Sequence, residues 1–270
     1  MTSSTGGRVA LATIRMNVHG QDRAFAVPVP LGPSRLLDLL PASGAIASEE
    51  AQANIEDARA HGKEISCRAG CGACCRQAVA ISAVEALALA ELVDTFPAER
   101  QSIVRERFQA GIRRLEEAGL LDPSQPPGHR YPQAADQGAL AQTLNDLGRR
   151  YFRLGVACPF LEDESCGIYE QRPAVCREYH VTSPAENCAR LYEVPVDRLE
   201  PSFHVSEILG HLAEGAAAIS QSSVLLIQAL EWSAANSQSL AATGDGRQLF
   251  GMFMDEIGKL AADRGLTGGN

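Results

Sequence analysis

The sequence predicts a mainly α protein: an irregular helical domain with cysteine-rich metal-binding loops and a small N-terminal β-hairpin. Three observations predict it. Strict apolar alternation is confined to residues 8–30, apolar positions elsewhere recur at helical spacing, and eight cysteines fall into two groups far apart in the chain.

In the hairpin, Ala10, Ala12, Ile14, Met16 and Val18 alternate with more polar neighbours. His19-Gly20 supplies the turn, and Phe25, Val27 and Val29 alternate on the return. Pro28 and Pro30 remove ladder donors, which marks an edge strand. After that the strand signal fades. Ser34 caps a short helix through Leu40 that Pro41 stops, and a second helix runs from about Ser48 to His61 and ends at Gly62. The first cysteine group follows in a loop. Ser82-Ala83-Val84-Glu85 is a capping box opening a helix to about Val93. Pro97 suits the first position of the next helix, which presents Val104, Phe108, Ile112 and Leu115 on one face and closes at Gly119.

Residues 120–136 hold four prolines, at 123, 126, 127 and 132, and read as a connecting loop. Leu140, Leu144, Leu147 and Tyr151 mark another amphipathic helix. The last third is helical: one segment from near Ser206, one over 219–235, and one carrying Phe250, Phe253, Ile257 and Leu260. The chain thus divides into an N-terminal hairpin with short helices (1–62), a cysteine-cluster metal-binding domain (63–200), and C-terminal helices packing on the core (201–270).

A formal net charge of -9 argues against a nucleic-acid footprint. Arg105, Arg107, Arg113 and Arg114 bunch together, but the interleaved Glu106, Glu116 and Glu117 make this a solvated helix face. Met1 to Gly7 lacks the cationic and apolar parts of a secretory signal, and the longest apolar run is too short for a bilayer. The expected location is the cytosol. Thiols stay reduced there, so many cysteines imply metal or redox chemistry rather than disulfides.

The first group is Cys67-x3-Cys71-x2-Cys74-Cys75, with Gly70 and Gly72 allowing the tight turns that aim several thiolates at one centre. The second is sparse: Cys158, Cys166, Cys176 and Cys188. Neither half has the paired spacing of a self-contained zinc knuckle, so the second group is expected to complete a site begun by the first. Consecutive side chains diverge in most backbone conformations. Cys74 and Cys75 therefore point to a polynuclear centre or two neighbouring sites. Arg172 and Arg177 bracket Cys176, where cations offset the charge of thiolates and contact the cofactor. His180 is a candidate ligand or proton carrier, although such a histidine more often simply packs; Tyr169 and Tyr179 read as core or rim residues.

Cys-x3-Cys-x2-Cys-Cys, then Cys-Pro-Phe-Leu, then Cys-x-Ile-Tyr-x-x-Arg-Pro-x-x-Cys-Arg resembles the YkgJ-type cysteine-cluster family, to which zinc or iron chelation is ascribed. The resemblance covers residues 64–90 and 156–190. It implies that Cys71, Cys74 and Cys75 match the family's first cluster, that Cys158, Cys166 and Cys176 match its second, and that Glu85 occupies a family position. Two features depart from the pattern: Cys67 precedes Cys71 by four positions rather than three, and Cys188 lies beyond the shared core. The family is similar in turn to bacterial flagellin lysine methylases, which are associated with an iron–sulfur centre and so suggest methyl-group chemistry.

The Cys67, Cys71, Cys74 spacing is also that of radical S-adenosylmethionine enzymes. Their barrel needs regular strand–helix alternation, absent after residue 75, and an aromatic residue where Ala73 stands. Three functions remain: an iron–sulfur protein supporting redox or methyl-transfer chemistry, a non-catalytic structural zinc protein, and a thiol redox sensor. Iron–sulfur is favoured over zinc as the cofactor. The sequence leaves open whether the protein is an enzyme. No nucleic-acid or membrane partner is expected, and no protein partner is identified.

Overall fold

The computed structural model describes residues 8–68, 70–128, 130–131, 137–217 and 223–263. The hairpin forms as expected. Strands β1 (Arg8–Val18) and β2 (Gln21–Leu31) pair antiparallel from Arg8↔Leu31 to Val18↔Gln21. His19 (φ 50°) and Gly20 (φ 74°) make the left-handed two-residue turn that matches strand twist. Ala12, Ile14, Met16 and Phe25 pack on the core, while Val9 and Leu11 face outward.

Beyond the hairpin the first departure is at Pro41. After β3 (Pro33–Ser34), a 3-10 turn over Leu36–Leu39 runs straight into α1 (Leu40–Ala60). Pro41 starts this helix instead of stopping an earlier one. In the first turn a proline gives up only an N–H that has no intrahelical partner, and its fixed φ suits a helix. The helix buries Ala42, Ile46, Ala47, Ala53 and the polar Glu50.

Strand β4 (Ala80–Ser82) leads into α2 (Ala83–Asp94), and its capping box is present: Ser82 Oγ accepts from Glu85 N (3.2 Å) while Glu85 accepts from Ser82 N (2.9 Å). Pro97 is the N-cap of α3 (Ala98–Glu117), which buries Val104, Phe108 and Leu115. Next, α4 (Gln137–Leu154) buries Leu147 and Tyr151 but leaves Leu140 and Leu144 exposed, so only its second half follows the expected face. Residues 132–136 of the proline-rich loop lie outside the described residues.

A small hairpin of β5 (Leu161–Glu162) and β6 (Ser165–Cys166) turns through Asp163 and Glu164, both at positive φ. Short helices α5 (Ala174–Glu178) and α6 (Ala185–Cys188) follow, then α7 (Val205–Ala217). The segment expected as a helix over 219–235 differs. Residues 223–225 are strand β7 (Ser223–Leu225), paired antiparallel with β4, and the helix α8 is only Ala229–Asn236. A short apolar run such as Val224 to Ile227 satisfies a buried strand or a buried helix equally, and the waiting edge of β4 decides. Strand β8 (Gly244–Asp245) pairs with β3, and α9 (Gly246–Asp263) carries buried Phe253 and Ile257.

Buried residues from the hairpin, α1, α2, α3, α7, α8 and α9 belong to one hydrophobic cluster; Trp232, Phe108, Phe160 and Phe253 are among its largest fully buried members. Three buried glutamates tie segments far apart in sequence. Glu50 accepts from Ser202 N (2.8 Å) beside His19; Glu85 accepts from Ala174 N (2.7 Å) and Ser206 Oγ; Glu178 accepts from Val205 N (3.0 Å) at the start of α7. A charged acceptor bonded to buried N–H groups is a strong link. No described helix is long and apolar enough to cross a membrane.

Candidate metal centre

The first cysteine group lies in a loop fastened at both ends. Ser66 N donates to Val181 O (2.9 Å), which fixes Cys67 beside the segment leading to α6. Gly70 takes φ 77°, and Cys71 N then reaches Arg68 O (3.3 Å). Gly72 sits so close to the β5–β6 hairpin that a Cβ there would lie 2.7 Å from the Leu161 side chain. Cys74 and Cys75 occupy a 3-10 turn, Ala73–Arg76. Arg76 locks it by donating to Gly72 O (3.0 Å) and pairing with Glu164.

The second group is brought to the first. Cys158 N donates to Cys75 O (2.6 Å), so the two sequence clusters touch through the backbone. Cys166 is on β6, opposite Leu161. Not all the cysteines are in loops. Cys176 lies in α5 and Cys188 in α6, because Pro173 and Pro184 each start a short helix there. Glu85 binds the N-terminus of α5 through Ala174 N, joining the helix after the first cluster to the one that carries Cys176.

Two positioning residues on α3 leave no signal in the sequence. Arg107 donates to Pro159 O and Leu161 O (3.2 Å each), and Arg100 to Gly167 O (2.8 Å). The basic group was expected to be merely solvated. Arg105 and Arg113 do pair with Asp94 and Glu106, but Arg107 clamps the loop that holds Cys158. A contact spanning some fifty residues has no local sequence signature.

The thiols form an electrostatic set. Burial, followed by the charges of Cys158, Cys74, Glu85 and Cys166, pushes the Cys176 thiol well up. Burial is also the main cause at Cys158, pushed up to about 12, where Cys166 and Cys74 add to it. Cys166 is raised by burial and by Cys74, against the opposing pull of Arg172. Cys74 is raised by a hydrogen bond with Cys75 and by burial, with Arg172 again opposing. Cys74 and Cys75 sit side by side in the tight 3-10 turn. Burial also raises Cys67, with contributions from Cys74 and Cys71. At Cys188 burial leads, followed by Cys67, Cys71 and Cys74.

All eight cysteines are free thiols. Among the described residues, no group of three or more His, Cys, Asp or Glu side chains already stands in metal-holding geometry. The donor set still suits a thiophilic metal. The thiols are soft, desolvated, mutually repelling when charged, and gathered from both clusters around Cys74. Arg172 adds a second indication. Its guanidinium stacks 3.9 Å above the Tyr169 ring, its charge reaches Cys74 and Cys166, and its buried Nε has no hydrogen-bond partner among the described residues. An anionic thiolate centre supplies what that donor lacks. Arg177 is engaged differently: it donates to Arg172 O (3.1 Å) and Glu170 O, bracing the loop in front of Cys176. Burial and the charge of Arg172 lower the pKa of His180, and Tyr179 Oη accepts from Gln77 (3.1 Å).

Residues 66–194 match the model of the CxxCxxCC family, described as "Putative zinc- or iron-chelating domain". The cysteine-cluster resemblance holds. The CxxCxxCC segment runs unbroken across the proline-rich loop and takes in all eight cysteines, including Cys67 and Cys188. The hairpin, α1 and everything after residue 194 lie outside it. Zinc or iron is the cofactor class its description names, in accord with the thiol set. No curated protein and no solved structure matches this chain.

Proposed function

We propose that Cys74, Cys158, Cys166 and Cys176 chelate metal as the four ligands of one buried centre, an iron–sulfur cluster in preference to zinc. What carries this reading is the backbone bond from Cys158 N to Cys75 O that joins the two sequence clusters, with burial raising all four thiols and the buried Arg172 Nε lacking a partner among the described residues. The adjacent Cys74 and Cys75 favour a polynuclear cluster, which needs more sulfur nearby than one zinc ion does.

When bound, an iron–sulfur cluster supplies one-electron chemistry. The chain's own part is to hold four thiolates, to offset their charge with Arg172, and to exclude water with Phe160 and Ile168, both buried. The cavity that Cys158 lines with Gln77, Val79, Tyr151 and Leu225 offers about 10 Å³, roughly one water.

Purification without oxygen, with iron, zinc and labile sulfide analysed and a visible spectrum recorded, tests the reading. A brown protein with iron and sulfide is expected. A colourless zinc protein overturns the iron–sulfur part. A folded metal-free protein whose thiol count follows oxidant overturns chelation and points to a redox sensor. Cys74→Ser and Cys176→Ser should each lose the metal; unchanged content in both refutes the ligand assignment.

A further inference from the structure

We propose that strand β1 is a homodimer interface: the open edge of the hairpin pairs antiparallel with the same edge of a second copy of this chain, and Thr13 meets its own counterpart on the two-fold axis. This goes beyond metal binding and concerns a part of the chain outside the family segment.

The hairpin turn decides which backbone groups face the open edge. Val18 and Gln21 flank the two-residue turn, which makes them a hydrogen-bonded pair. Bonded and non-bonded pairs alternate along antiparallel strands. Ala10, Ala12, Ile14 and Met16 therefore direct their N–H and C=O groups to β2, and Val9, Leu11, Thr13, Arg15 and Asn17 turn theirs away from it. The prolines agree with this phase. Pro28 and Pro30 stand opposite Leu11 and Val9, where a residue of β2 needs no N–H towards β1. They also remove donors from the outer edge of β2. Strand β1 is 11 residues long without a proline, and no other described strand pairs with it. An edge of this kind is normally blunted or covered.

The strand is complementary to itself. In the register centred on Thr13, Arg15 lies opposite Leu11 and Arg8 opposite Val18, so no like charges face each other. On the solvent side Leu11 is 78% exposed and Val9 58%. On the core side Ala12 comes opposite Ile14 and Ala10 opposite Met16, all of them only half-buried in the single chain, so the second copy adds to their cover. This register pairs the strand over its whole length. It forms about ten backbone hydrogen bonds, as many as a typical protein interface carries. A register centred on Arg15 would set that guanidinium against its own copy.

The test uses the full chain under reducing conditions, which keep the exposed Cys67 from cross-linking. Sedimentation equilibrium over a concentration series reads the association, and a dimer is expected. Thr13→Pro removes an edge N–H and none from the ladder with β2, and should weaken the dimer about tenfold or more. Leu11→Glu places an acid opposite Arg15 of the second copy and Leu11→Lys places a base there. Their dissociation constants should differ by about tenfold, with the Glu variant the tighter. A wild-type chain that stays monomeric, a folded Thr13→Pro that dimerises as tightly as wild type, or the same shift in both Leu11 variants overturns the proposal. If circular dichroism shows that Thr13→Pro has lost its hairpin, the Leu11 pair alone decides.

Discussion

At the scale of single residues, Arg172 is the most informative side chain that is not a thiol. Its buried Nε has no hydrogen-bond partner among the described residues, a condition that native structures rarely leave uncompensated. Arg172→Leu should lower metal affinity roughly 10-fold or more, as removal of groups around a metal site does. Competition with a chromophoric chelator measures it, and an unchanged affinity would show that the guanidinium serves only the Tyr169 stack. Fold stability should change little, since the mutation removes a donor that already lacks its bond. The thiols and both bracketing arginines were legible because cysteine spacing and adjacent charge are local patterns. That Arg172 stacks on Tyr169 while Arg177 turns back to the Arg172 and Glu170 carbonyls was not, because only the local course of the chain into α5 sorts their directions.

At the scale of elements, the join between α2 and α5 holds the two cysteine groups in register. Ser82→Ala removes one cap acceptor and should cost about 1 kcal/mol. Glu85→Ala leaves Ala174 N without its acceptor and takes one acceptor from Ser82 N and from Ser206 Oγ, and should cost on the order of 3 kcal/mol. Denaturant titration separates the two; a cost for Glu85→Ala no larger than that for Ser82→Ala would mean that the α5 link carries no stability. The capping box was readable because its residues are three apart. The reach of Glu85 to Ala174 was not. The same division explains Pro41 and residues 223–225. A proline's effect depends on whether a helix already precedes it, and an apolar run takes the form its neighbour offers.

At the scale of the whole molecule, the apolar cluster and the thiol centre are different sources of order. The cluster joins the hairpin, α1, α2, α3, α7, α8 and α9, whereas the segments around residues 66–76 and 158–188 are fastened largely by backbone latches and arginine clamps, to which the proposed metal would add. Chelation under reducing conditions should therefore speed amide exchange in those two stretches while α2, α7 and α8 stay protected. Hydrogen exchange followed by mass spectrometry reads this directly. Equal loss of protection everywhere would mean that metal is required for the whole fold.

The sequence alone determined the hairpin, the amphipathic helices and the cysteine chemistry, since each depends on residue type and short spacing. Only the tertiary structure decided that Cys158 N meets Cys75 O and that Arg107, Arg100 and Glu85 tie together the segments that carry the cysteines. Those contacts join residues some fifty to ninety positions apart. Long-range pairing follows from how the whole core packs, and no local pattern of side chains encodes it.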